Sequence, residues 1–138
     1  MRRFYFFLQM QDDILAYNKT LTGQEAIIAI LLAHEIMTYL PDATAKLRHG
    51  HPVWFLNGNP VVWYSTKKAG IALLFRSGQS FDEPALFSIG KFKAAEIVYA
   101  SSDQIHRNDL VRWLGKAKET QRDYKNIVKR KWVLERNI

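Results

Sequence analysis

Residues 53–64 read VWFLNGNPVVWY and contain the clearest secondary-structure signal in the chain. Two runs of β-branched and aromatic residues flank Asn57-Gly58, and this dipeptide is the strongest short-range signal for a β-hairpin. Residues 71–76 follow with an alternation of period two, and residues 96–99 resemble a further short strand. The pattern predicts an antiparallel meander of at least three strands.

Helical patterns lie on both sides of this meander. A short helix is expected over residues 12–18, and a longer one over 24–39 that ends before Pro41. Thr22 and Glu25 have the spacing of a capping box at the start of that longer helix. Its apolar residues occupy a broad surface, so we expect it to be well buried.

The last part of the chain predicts one more helix. Residues 108–128 show an apolar stripe of helical period, and Ser102 or Asp103 is placed to cap a turn before it. One helical turn is expected near residues 85–87. The order of helices, meander and helix predicts an α+β domain, in which helices pack on an antiparallel sheet.

Composition bounds the class of protein. The chain has 138 residues, 48% of them hydrophobic, which suits one domain with its own core and excludes a disordered chain. Cysteine is absent, so a disulfide framework, a thiolate metal site and a cysteine nucleophile are all excluded. No nucleophile elbow or phosphate loop is visible, so no catalytic site is predicted.

The termini predict no targeting signal. Arg2 and Arg3 precede a five-residue apolar run that is shorter than a secretory core, and the longest apolar stretch is too short to span a bilayer. We therefore expect a cytoplasmic protein without a membrane partner. Met10 is an alternative start, which would make residues 1–9 an N-terminal extension, residues 10–131 the domain and 132–138 a C-terminal tail.

Charge is distributed unevenly along the chain. The net charge is +7, of which residues 11–45 contribute −4 and residues 107–138 contribute +6. Such asymmetry attracts anionic partners, although solvated helix faces produce it as well.

Several motifs resemble the uncharacterised family named after YdhG. They are LRHGHPVWF at 47–55, NGNP at 57–60, SGQSF at 77–81 and GKFKAAE at 90–96, and the resemblance covers about residues 11 to 131. It implies an α+β fold with an antiparallel sheet, similar in outline to frataxin, and no established reaction. Some members of that family are described as intracellular iron chaperones, so the resemblance makes iron a candidate cofactor.

Two sets of residues are candidates for metal binding. His49 and His51 are two residues apart, so both imidazoles would point to one side of an extended segment. Iron also accepts carboxylate oxygens. The carboxylate candidates are Asp12, Asp13, Glu35 and Asp42. Each has an alternative explanation, as a structural histidine or as a helix-capping or solvated acid.

Aromatic and basic residues suggest two kinds of binding surface. Aromatic side chains on three consecutive strands cannot all share one face, so a second face of the sheet could form a ligand cleft. Its candidate ligand-binding residues are His49, His51, Trp54, Trp63, Lys91 and Lys93. A helical stripe of Lys118, Arg122, Lys125 and Lys129 could contact phosphates or lie in solvent.

These observations favour a non-enzymatic binding or adaptor module with an aromatic-lined cleft, for an unknown small molecule or protein. One alternative is a frataxin-like iron-binding protein or iron chaperone. The other is a weak, nonspecific nucleic-acid binder, since no nucleic-acid-binding motif accompanies the basic stripe.

Overall fold

Three helices and a six-stranded antiparallel sheet make up the described part of the fold. The computed structural model describes residues 12–91 and 93–136, with side chains as far as Gln121. The helices are α1 (Asp12–Lys19), α2 (Gly23–Tyr39) and α3 (Arg107–Arg136). The strands are β1 (Thr44–Arg48), β2 (His51–Leu56), β3 (Asn59–Lys67), β4 (Gly70–Phe75), β5 (Phe87–Ser88) and β6 (Ala95–Tyr99), in the order β1-β2-β3-β4-β6-β5. The predicted α+β class is confirmed.

Two tight hairpins build one side of the sheet. Asn57 and Gly58 both have positive φ, 53° and 79°, which is the type I′ geometry that joins β2 to β3. His49 and Gly50 repeat it, with φ of 53° and 80°, and join β1 to β2. The hairpin at Asn57-Gly58 was predicted from the sequence. The hairpin at His49-Gly50 and the strand β1 were not.

The core lies between the helices and one face of the sheet. Trp54, Tyr64 and Phe75 stand on this face, and each is fully buried. The Tyr64 hydroxyl donates a hydrogen bond of 2.6 Å to the Asn18 side-chain oxygen, which ties α1 to β3. On the helix side, Trp113 meets Phe75 edge to face at 6.1 Å between ring centroids. Aromatic rings therefore connect the sheet to the first and last helices.

Helix α2 is less buried than its composition predicts. Ile28, Leu32 and other apolar residues of one side pack into the core. The opposite side leaves Ile27 at 44% and Ile30 at 57% exposed, with Leu31 beside them at 41%. The helix begins after Thr22, as expected, but the Thr22 side chain makes no capping hydrogen bond.

Details between the elements also differ from expectation. The helical turn lies at Gly78–Phe81 as a 3₁₀ turn and not near residues 85–87, where β5 begins. A capping box forms at Ser101 with Gln104, so the cap lies one residue before Ser102, the first of the two predicted caps. Helix α3 continues to Arg136, eight residues beyond its expected end and into the expected C-terminal tail.

A buried carboxylate fastens the loop after β4 to helix α3. Glu83, 7% exposed, accepts hydrogen bonds from Arg112 at 2.7 Å, Trp113 at 2.8 Å and Lys116 at 2.5 Å. Lys116 also donates to the Phe81 carbonyl oxygen at 2.7 Å. The hydrogen bonds from Arg112, Lys116 and Trp113 hold the pKa of Glu83 well below its usual range. The loop is therefore held by charge-assisted bonds as well as by Phe81 in the core.

The three helices were also compared with the dimensions of a bilayer. Within the described ranges, none of them combines the length and the apolar composition needed to cross a membrane.

Candidate functional site

The sheet has a second face, turned away from the three helices, which we call the outer face. Strand register places Val53, Trp63 and Leu74 side by side on it. Phe55 also lies there, two residues after Val53 on the same strand. The aromatic residues are thus divided between the faces, as the alternation of strand side chains predicted, and Trp54 lies in the core.

Two cations stack on an aromatic ring where the outer face meets β1. The Lys46 Nζ atom lies 4.8 Å from the centroid of Phe55, and the Arg48 guanidinium carbon lies 5.8 Å from it. Both distances are within the range of a cation–π interaction. Phe55 is only 7% exposed, whereas Lys46 and Arg48 are exposed. The ring therefore holds two positive charges near each other at the surface.

These cations line an open groove of about 470 Å³ along β1. The described residues that line it are Thr44, Lys46, Leu47, Arg48, Phe55 and Gly58. None of them is acidic. We call this feature the β1 groove.

The absence of acids extends well beyond the groove. Residues 43–81 contain five lysines and arginines and no aspartate or glutamate, and they include all of β1 to β4. Among the described strands the only carboxylate is Glu96 on β6, and its side chain accepts a hydrogen bond of 2.6 Å from Lys67. Lys46 and Arg48 have no such ion pair within the described residues. The potential of the groove is therefore positive.

The two predicted histidines lie beside the groove. His51 is the cross-strand partner of Arg48, and His49 occupies the turn between them. Burial lowers the pKa of His51, and the nearby charge of His49 lowers it further. The lowered pKa of His51 favours its neutral form, whereas Lys46 and Arg48 carry the fixed positive charge of the groove.

The other predicted ligand-binding residues are not brought together. Trp54 is fully buried on the helix side of the sheet, and Trp63 is half-buried on the outer face. Lys91 and Lys93 are exposed in the segment before β6. Neither lysine is among the residues that line the β1 groove.

The carboxylate candidates are dispersed as well. Asp12 and Asp13 are exposed in the first turn of α1, and Asp42 is exposed between α2 and β1. Glu35 on α2 is half-buried, and one of its oxygens lies 3.5 Å from the Arg107 side chain. In the described part of the chain, no three His, Cys, Asp or Glu residues are grouped as a metal would require.

The predicted basic stripe lies on helix α3. Lys118 is exposed. Arg122, Lys125 and Lys129 lie on the same helix, but their side chains fall outside the described residues.

Sequence reasoning missed the residues that form the groove. Lys46 and Arg48 were not singled out, because a strand at residues 44–48 was not predicted. The signal that could have found them is the acid-free stretch of residues 43–81, combined with cations two residues apart, which share one side of a strand.

The chain was also compared with known proteins. No family model, no curated protein and no solved structure matches it.

Proposed function

We propose that this protein is a non-enzymatic binding module that holds an anionic ligand in the β1 groove. The observation that carries the proposal is the pair of cations, Lys46 and Arg48, stacked on Phe55 beside an open groove whose described lining residues include no acid. The proposal retains the binding module favoured by the sequence and moves its site to the edge of the sheet.

The chemistry of the groove suits an anion. Lys46 offers a compact ammonium, and Arg48 offers a planar guanidinium that can bind a carboxylate or phosphate through two hydrogen bonds. Phe55 restricts both side chains on its ring, so less conformational entropy is lost when a ligand binds. The neighbouring His51 could add a third positive charge if a bound anion favours its protonated form.

The test uses inorganic tripolyphosphate, which supplies negative charge without a base or a peptide. We expect amide resonances of residues 44–58 to shift in an NMR titration at low ionic strength. Reversing the charges with Lys46→Glu and Arg48→Glu should weaken binding roughly tenfold or more, because both cations then repel the anion.

Lys68→Glu is the matched control. Lys68 is exposed in the turn between β3 and β4, outside the groove, and its reversal changes the net charge as much as either single reversal, Lys46→Glu or Arg48→Glu, does, so it is compared with each of these. We expect it to change the affinity no more than about twofold, since the interaction between charges weakens with distance. Equal weakening by Lys68→Glu, or shifts that avoid residues 44–58, would show that the groove is not the anion site.

A further inference from the structure

The edge of β1 that faces away from β2 also presents backbone N–H and C=O groups. Among the described strands, β1 is the end strand of the sheet and only one of its sides pairs, with β2. Leu47 is opposite Pro52, which has no N–H, so this pair is of the non-hydrogen-bonded kind. Because the two kinds of pair alternate in an antiparallel ladder, Ala45 and Leu47 direct their N–H and C=O groups away from β2.

The alternation of hydrogen-bonded and non-hydrogen-bonded pairs also determines where the side chains would lie if another strand paired with the free edge of β1. Residues opposite Ala45 and Leu47 would form hydrogen-bonded pairs with them. Residues opposite Lys46 and Arg48 would stand in non-hydrogen-bonded pairs, in which side chains approach most closely. Lys46 and Arg48 project to the outer face, and Leu47, which is 38% exposed, projects to the other.

We propose that the anionic ligand is an acidic segment of another polypeptide that adds to β1 as an antiparallel strand. Its carboxylates, two residues apart, lie opposite Lys46 and Arg48, and an apolar residue between them lies opposite Leu47. The inference rests on the proposed function and names its ligand. It accounts for the cations, the groove and the outward backbone groups together.

A nucleic acid or a second copy of β1 would complement fewer groups of this edge than an acidic strand would. A nucleic acid would contact Lys46 and Arg48 but would leave the outward N–H and C=O groups of β1 without strand partners. A second copy of β1 would bring lysines and arginines into opposition, and like charges directly opposite are unfavourable. The cations thus oppose self-association at this edge and favour an acidic strand.

The first measurement uses synthetic peptides and the whole chain. A fluorescein-labelled peptide of eight residues alternates glutamate and valine, and its binding is followed by fluorescence anisotropy. A control peptide has the same composition with its four glutamates consecutive. A third carries N-methyl groups on its valine amides, which face Ala45 and Leu47 in the proposed pairing. We expect both controls to bind about tenfold more weakly than the alternating peptide.

The second measurement changes the edge of the protein. Leu47→Pro removes one outward N–H without removing a bond to β2, and proline is tolerated at such edge positions. Leu47→Ala shortens the same side chain and keeps the N–H. We expect Leu47→Pro to weaken the alternating peptide about tenfold and Leu47→Ala about threefold or less. Neither should change tripolyphosphate binding.

The outcomes separate this inference from the proposed function. If tripolyphosphate binds through Lys46 and Arg48 but the peptide is indifferent to Leu47→Pro and to N-methylation, strand addition is overturned and the anion site stands. If oligothymidylate of twelve nucleotides binds more tightly than the peptide at equal ionic strength, the ligand is a nucleic acid and the inference fails. If neither tripolyphosphate nor the peptide binds, both proposals fail. Should Leu47→Pro not fold, as circular dichroism would show, the N-methylated peptide decides.

Discussion

Replacing Glu83 with glutamine tests how the loop after β4 is held to helix α3. Glu83 is 7% exposed and accepts bonds from Arg112, Trp113 and Lys116. Glutamine has the same shape but no charge, and it offers one acceptor oxygen in place of two. Arg112 and Lys116 keep 47% and 37% of their side-chain surface exposed, so water can solvate both once the carboxylate is gone.

The unfolding free energy that Glu83→Gln should lose follows from these contacts. Because the cations can be rehydrated, the cost lies below that of leaving a fully buried charge unpaired, which is about 3–5 kcal/mol. We expect the loss to equal that of about one charge-assisted hydrogen bond, or roughly 2–3 kcal/mol of unfolding free energy. In a domain of this size, that lowers the melting temperature by about 6–12 °C. Urea unfolding followed by circular dichroism measures the free energy directly.

The matched control is Asp82→Asn. Asp82 is adjacent and exposed, with a φ of 57° that asparagine tolerates, and the substitution removes the same charge. We expect it to change stability by no more than about 0.5 kcal/mol. If Glu83→Gln unfolds at the same urea concentration as Asp82→Asn, the carboxylate does not fasten the loop and the reasoning is refuted.

The loss of stability caused by Glu83→Gln should also depend on pH. The pKa of Glu83 is lower in the folded state than in the unfolded chain, so its contribution is complete above the unfolded pKa of about 4.3 and is lost as pH falls. We expect the stability difference between the native chain and Glu83→Gln to be constant above about pH 5.5 and to shrink toward pH 2. A difference that grows on acidification would contradict the assigned bonds.

Four further substitutions test the packing by urea unfolding. Gly70→Ala should cost more than about 2 kcal/mol, since a Cβ there would lie 2.1 Å from the Tyr99 carbonyl oxygen at a φ of +144°. Gly115→Ala is its control within α3, where a Cβ meets open space, and it should stabilise by about 0.5–1 kcal/mol. Tyr64→Phe should cost about 1–3 kcal/mol because it leaves the buried Asn18 without its 2.6 Å bond, and adding Asn18→Ala to Tyr64→Phe should recover part of that loss because the unpaired amide is then removed.

Local patterns predicted most of the fold. The hairpin at Asn57-Gly58 is confirmed because its turn geometry needs positive φ at two successive residues, which this dipeptide readily adopts. The strand over residues 71–75 is confirmed, although all six residues of β4 are buried, on both faces of the sheet. Helix α2 ends at Tyr39, as the proline two residues later predicted.

What the sequence did not reveal depends on distant partners. Glu83 bonds to residues about thirty positions away, and no local pattern marks that contact. Thr22 and Glu25 have capping-box spacing, but the Thr22 side chain does not form the bond, whereas Ser101 and Gln104 form a complete box. Spacing permits such a bond, and the rotamers that the surrounding packing allows decide whether it forms.

Strand β1 was not predicted from the sequence, and it carries the residues on which the proposed function rests. Four of its five side chains are exposed, so it lacks the alternation of apolar and polar residues by which strands are recognised. It is placed by its ladder with β2 and by the turn at His49-Gly50. Because burial of β1 side chains contributes little to that placement, Lys46 and Arg48 can project from a fixed backbone into the groove. The exposure of its side chains therefore explains both why β1 was not predicted and why it is suited to bind a ligand.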